Sequence, residues 1–259
     1  SQAVNSGLEQ ATSVVVHDDG SFTLGGGADV VNSGKIDVSS HTLELNTSSA
    51  GQIVVLGENI TSSGQLIADV SVDDSTAFQA GEIEVHAQDT VLLTEQSLTS
   101  AKNNIANGGD IKILGDRVAL LGDSVVDASG ETGGGEILIG GDYRGENELI
   151  RNANASYIAG NTEINADALN NGDGGKVVIW GNDSAKVYGN VSATGGLVSG
   201  DGGFVETSAG VVDLGVTVDV SAPIGDSGLW LIDPYNITIS NSGTTADETD
   251  PGGAIDAYF

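Results

Sequence analysis

The sequence predicts an all-β protein, a right-handed parallel β-helix, and three observations carry that prediction. A Gly-led apolar motif returns at gaps of 25 to 40 residues along the chain. Each copy is followed by further short strand-like runs with turns between them. No window longer than about ten residues keeps a 3.6-residue period, so helices have no amphipathic face to build on. Composition agrees. Of 259 residues 39 are Gly and only 3 are Pro, and hydrophobics make up 39% with aromatics at 4%. Such a chain builds its core from Val, Ile, Leu and Ala on many short strands joined by tight turns.

The copies run in order as AGQIVVLG (50–57), AGEIEVHA (80–87), GGDIKILG (108–115), GGEILIGG (134–141), GGKVVIWG (174–181) and GGFVETSA (202–209). GLWLID, opening at Gly228, is the seventh. Each copy begins a unit of about three strands: GGDIKILG continues with DRVALLG and DSVVDASG. Three strands per 25–30 residues, repeated in register, is the pattern of a parallel solenoid. Rungs spaced roughly 4.8 Å apart and about nine coils predict a rod about 40 Å long. The unit from Gly135 to Gly175 is longer, at 40 residues, so a loop is expected to leave the rod around 143–170. Its candidate interaction residues are Tyr143, Arg144, Arg151 and Tyr157, because long loops on rigid scaffolds carry function.

Alternation sets the faces. Ile53/Val55, Ile83/Val85, Ile111/Ile113, Ile137/Ile139 and Val177/Ile179 share one register and should stack inward. Glu82, Glu84, Asp110, Lys112, Glu136 and Lys176 should point out, with Glu84 and Lys112 placed to pair across rungs. A slip of one residue would bury those charges, so the register is firmly specified. Trp230 and Ile232 fall on the inward positions of the seventh copy, and Pro234, lacking an N–H, should end that strand. The repeat is then lost. The β-helix is expected over 1–240, followed by an irregular tail or the start of another module over 241–259. Both termini read as cut from something longer.

Charge narrows the partners. With 37 acidic and 8 basic residues the formal net charge is −29, which repels nucleic acid and anionic membranes. No apolar run approaches the length of a membrane span. There is no Cys, a usage compatible with secretion. The three histidines, His17, His41 and His86, fall on different coils and none stands beside a Gly-flanked Ser. Acidic pairs such as those at 17–19 and 72–74 are expected by composition alone and do not make a glycosidase site. No catalytic or cofactor-binding residue is assigned. The GDGG segments at 172–175 and 200–203 make Asp173 and Asp201 the calcium candidates, against the plainer reading of Gly- and Asp-stabilised turns. Six N-x-S/T sequons occur, at Asn46, Asn59, Asn154, Asn182, Asn190 and Asn236.

Four segments in order, GGEILIGGDYRGEN (134–147), INADALNNGDGGKVVIWGNDSAKVYGNVSATGG (164–196), GDGGFVETSAG (200–210) and VDVSAPIGDSGLWLIDPYNITI (218–239), resemble the filamentous-haemagglutinin-like exoproteins of two-partner secretion. Residues 1–133 share only the repeat. The resemblance implies a right-handed parallel β-helix, export through an outer-membrane transporter, and a Gram-negative or cyanobacterial cell surface. It implies adhesion, aggregation or biofilm formation by contact with a surface protein or glycan. The NPNG-type motif of the secretion domain does not occur in this sequence, so the chain is expected downstream of that domain. Two alternatives stand beside this non-enzymatic reading. One is a filament subunit in which the chain stacks on itself end to end, and the other is a polysaccharide-active β-helix enzyme.

Overall fold

A computed structural model describes residues 4–10, 13–16, 21–25, 29–40, 50–71, 80–235, 237–238 and 255–256 of the protein. The chain winds into a parallel β-solenoid of about seven turns with about 28 residues in each. The first turn uses β3 (Phe22–Gly25) and β4 (Val30–Asp37). The second holds β5 (Gln52–Gly57), β6 (Ile60–Ser62) and β7 (Gln65–Ile67). The third holds β8 (Glu82–Ala87), β9 (Thr90–Leu93) and β10 (Leu98–Ser100). The fourth holds β11 (Asp110–Leu114), β12 (Arg117–Leu120) and β13 (Val125–Asp127). The fifth holds β14 (Glu136–Ile139), β15 (Ala155–Ile158) and β16 (Glu163–Asn165). In the sixth and seventh the first two strands fuse around a bulge, giving β17 (Lys176–Val187) with β18 (Asn190–Ser192), and β19 (Phe204–Leu214) with β20 (Thr217–Asp219). β21 (Leu229–Pro234) begins the next rung.

The register follows the repeat. Ile53 pairs with Ile83, then in succession Ile111, Ile137, Val177, Val205 and Trp230. Ile111, Ile113, Ile137, Ile139, Val177 and Ile179 have no exposed surface. Each of these strands therefore contributes apolar area to a column that no single turn could bury alone. The glycines that lead the copies have their own steric reason. A Cβ at Gly109, Gly135, Gly175, Gly203 or Gly228 would lie 2.0–2.2 Å from the carbonyl oxygen of the glycine one rung below. The backbones touch there, and any side chain would force the rungs apart.

Three expectations are corrected. The count of turns is about seven rather than nine, partly because the chain starts differently. β1 (Val4–Gln10) and β2 (Ser13–Val16) run antiparallel to β4 and β3 and add no coil. They occupy the hydrogen-bonding edge of the first turn, which would otherwise be open. Second, Lys112 does not pair with Glu84. Its ammonium reaches Glu82 at 2.8 Å, and Glu84 instead lies 3.5 Å from His86. Third, Trp230 and Ile232 take the inward register but are only half-buried, since among the described residues no further rung lies above them. Trp230 packs on the core edge and its Nε1 donates to Thr207 Oγ1 at 3.0 Å.

Pro234 is the last residue of β21. Beyond it β22 (Ile237–Thr238) pairs in parallel with β23 (Ile255–Asp256), the described part of the expected irregular tail. His17, His41, the acidic pairs at 17–19 and 72–74, and the sequons at Asn46 and Asn236 lie outside the described residues. Asn154, Asn182 and Asn190 are exposed and Asn59 is half-buried.

Candidate functional site

The long unit does not spread over 143–170. The chain leaves the stack at Gly140 and rejoins it at β15, so the excursion is a strap of residues 141–154. Gly140 (φ 73) turns the chain out of β14. The neck is closed where the Ala153 N–H donates to the Gly140 carbonyl at 2.6 Å, and the Asn154 N–H to the Asp116 carbonyl at 2.7 Å. Between these bonds the strap folds back over the outer face of the first strands.

That covering explains a lapse in the alternation. One outward column reads Glu84, Lys112, Leu138, Val178, Glu206 and Leu231. Its middle members, Leu138, Val178 and Glu206, are 0–1% exposed. Apolar residues at two consecutive outward positions, in the copies ILIGG and VVIWG, were the sequence signal for a covered face. Trp180 fills the same space. Added methyl groups at Gly141 and Gly145 would come within 2.9 and 2.6 Å of its indole, so both glycines are sites of close approach.

Asp142 organises the strap. Its carboxylate accepts the Tyr143 N–H at 2.6 Å, the Asn147 amide at 2.7 Å and the Lys176 ammonium at 2.5 Å. Burial works to raise its pKa, but these three donors outweigh it and hold the carboxyl below the usual range. A short 3-10 turn, Tyr143–Gly145, follows, with Arg144 in the left-handed region at φ 54. That conformation is unfavourable for a residue with a Cβ, and it aims the Arg144 N–H at Glu206, 3.2 and 3.3 Å from the two carboxylate oxygens. Glu206 is a fully buried acid on an outward position. Burial pushes its pKa up and the nearby Asp233 adds to this, while the Arg144 N–H and charge oppose it.

The four sequence-predicted residues separate into three roles. Tyr143 packs edge-on against Phe204 at 5.7 Å, and the Arg144 guanidinium lies 5.2 Å over the Tyr143 ring. Arg151 ties down the far end, reaching Asp116 at 2.5 Å and the Ala87 carbonyl at 3.3 Å. Asn152 closes the strap on itself by donating to the Gly145 carbonyl at 2.8 Å. Tyr157 is not on the strap. It stands on β15 and meets Tyr188 edge to face at 6.0 Å. The strap tip is left free, with Leu149 93% exposed. The arrangement is a pinned loop that presents a cation, a tyrosine and an apolar tip.

Asp173 and Asp201 form a turn ladder with Asp226. Asp173 Oδ1 accepts the Asp201 N–H and Asp201 Oδ1 accepts the Asp226 N–H, both at 2.8 Å. The carboxylates hold successive turns together. Among the described residues no group of three or more His, Asp or Glu side chains converges on a point where a metal ion could sit.

Among solved structures the chain matches the HMW1 secretion domain from Haemophilus influenzae. Identity is 32% and the TM-score 0.64, over 79% of this chain and 49% of that one. The chain fits a filamentous-haemagglutinin-like exoprotein of two-partner secretion. The chain spans about half the length of the structure it matches, and the similarity falls within a secretion domain, whereas the sequence alone placed the chain after one. No family model and no curated protein matches the chain. No helix among the described residues is long and apolar enough to cross a membrane.

Proposed function

We propose that this chain is a structural and adhesive segment of a large secreted exoprotein, carried out by an outer-membrane transporter and acting by presentation rather than catalysis. The observation that carries the reading is the solenoid's 32% identity to a secretion domain over 79% of the chain. The pinned strap supports it, because a rigid rod that fixes an exposed loop is suited to contact with a neighbouring cell surface. The secretion half is tested by expressing the parent exoprotein with and without its neighbouring transporter. Export to the medium or cell surface only with the transporter is expected, and export unaffected by its loss counts against the proposal. The adhesive half is tested by deleting residues 141–154 in the parent and measuring aggregation and attachment. Reduced attachment with normal export is expected, and unchanged attachment removes the strap's role.

Head-to-tail stacking into a filament fits less well. A second copy approaching the first turn would meet β1 and β2, which already occupy the edges of β4 and β3. Micrographs showing uniform short rods at every concentration are expected, and fibres would restore the filament reading.

A further inference from the structure

The eight basic residues are a scarce resource in a chain of net charge −29, and most are spent on carboxylates. Lys35, Lys102, Lys112, Arg117, Arg151 and Lys176 all make ion pairs. Among the described residues Arg144 and Lys186 make none, and each stands beside an exposed tyrosine. Arg144 is accounted for by the strap. Lys186 is not. It lies on the outward face of β17, in register between Tyr157 on β15 and Asp213 on β19.

The neighbours show why Lys186 stays free. Tyr188 donates its hydroxyl to Asp213 Oδ2 at 2.6 Å and holds that carboxylate. Its ring packs against Gly215, where an added methyl would come within 2.9 Å of it. Tyr157 packs edge-on against the Tyr188 ring at 6.0 Å and remains 38% exposed, with no hydrogen-bond partner for its hydroxyl among the described residues. Within three rungs, about 10 Å of rod, the surface therefore offers the half-exposed Tyr157 ring backed by Tyr188, an ammonium donor outside any ion pair, and a carboxylate with one oxygen to spare.

We infer that Tyr157, Lys186 and Asp213 form a binding platform for a neutral hexopyranose. A sugar's C–H face stacks on a tyrosine ring. A vicinal pair of hydroxyls can accept from one side chain and donate to another, and Lys186 and Asp213 stand in register on adjacent rungs to serve as that donor and acceptor. The charge decides against acidic sugars: one ammonium cannot offset the repulsion that a −29 chain exerts on an anion. The platform lies on the second strand of each turn, whereas the strap covers the first. This deepens the adhesive proposal, but binding at the platform does not depend on that proposal being right.

The test is an array of neutral and acidic oligosaccharides probed with the full 259-residue chain, followed by titration of a neutral hit by nuclear magnetic resonance. Binding to neutral hexose-containing glycans is expected. Tyr157→Ala and Lys186→Ala should each weaken it about tenfold or more, while Tyr157→Phe keeps most of it and Tyr143→Ala changes nothing. Melting temperatures of all four variants establish that they are folded. Absence of binding to any neutral glycan, preference for acidic ones, or full binding by folded Tyr157→Ala overturns the inference. Cell attachment measured with Lys186→Ala in the parent exoprotein separates the two claims: glycan binding lost with attachment kept refutes adhesion through this platform and leaves the site standing.

Discussion

Replacing Gly145 with alanine tests whether the strap is a fixed part of the rod. Gly145 has φ 63, and a Cβ there would stand 2.6 Å from Trp180 Cζ2, 2.7 Å from Cε2 and 2.8 Å from Asn152 Nδ2. The left-handed backbone costs alanine about 1–2 kcal/mol. Forcing a methyl against a ring costs about 1–3 kcal/mol more. Trp180 cannot swing away freely, because its Nε1 donates to Asn182 Oδ1 at 3.0 Å. The docked strap would thus carry a strain of about 2–5 kcal/mol. The strap has the alternative of lifting off, so the measured loss is the smaller of that strain and the free energy of docking. Lifting would wet Trp180, Leu138 and Val178. The assay is urea unfolding followed by indole emission in a Trp230→Phe background, since the chain has only 2 Trp. A red-shifted native emission and a lower midpoint are expected. Native emission unchanged, with stability within about 0.5 kcal/mol of the parent, would refute the packing of Gly145 on Trp180.

Other outcomes follow from the same structure. Ile111→Ala removes a fully buried side chain mid-column and should cost about 2–5 kcal/mol in urea unfolding. Trp230→Ala should cost less, being half-buried on the last described rung, and an equal or larger loss would mean that further chain covers it. Glu206 has a raised pKa, so its contribution is fully present below the ordinary carboxylate range and is lost as pH rises through the raised value. Glu206→Gln should therefore match the parent in acid and be the more stable at neutral pH, and equal stability at both refutes the burial of a charge there. Asp142 has the opposite sign: its lowered pKa gives stability present above the ordinary range and lost as pH falls. Asp142→Asn should be less stable than the parent at neutral pH, with the gap closing in acid, as read by unfolding across pH.

The sequence by itself determined the solenoid, its rung boundaries and its inward column. A repeat states the same local solution many times over. Each Gly pair must seat one backbone on the one below, and each alternating Ile or Val must face in or leave a charge buried, so position in the motif is position in space. The same reasoning placed Trp230 in the inward register, though not its degree of cover. The tertiary structure alone decided whatever does not repeat. The strap occurs once: the long unit announced that a loop would leave the rod, but no period announced that it would fold back over Leu138, Val178 and Glu206, and the apolar outward pair was the trace of that covering. Which cation serves which carboxylate was equally hidden, because long side chains reach diagonally: Lys112 passes over its in-register Glu84 for Glu82. Tyr157 and Tyr188 meet because β15 and β17 stack on adjacent rungs, a closeness set by the turn between them and by no spacing along the chain.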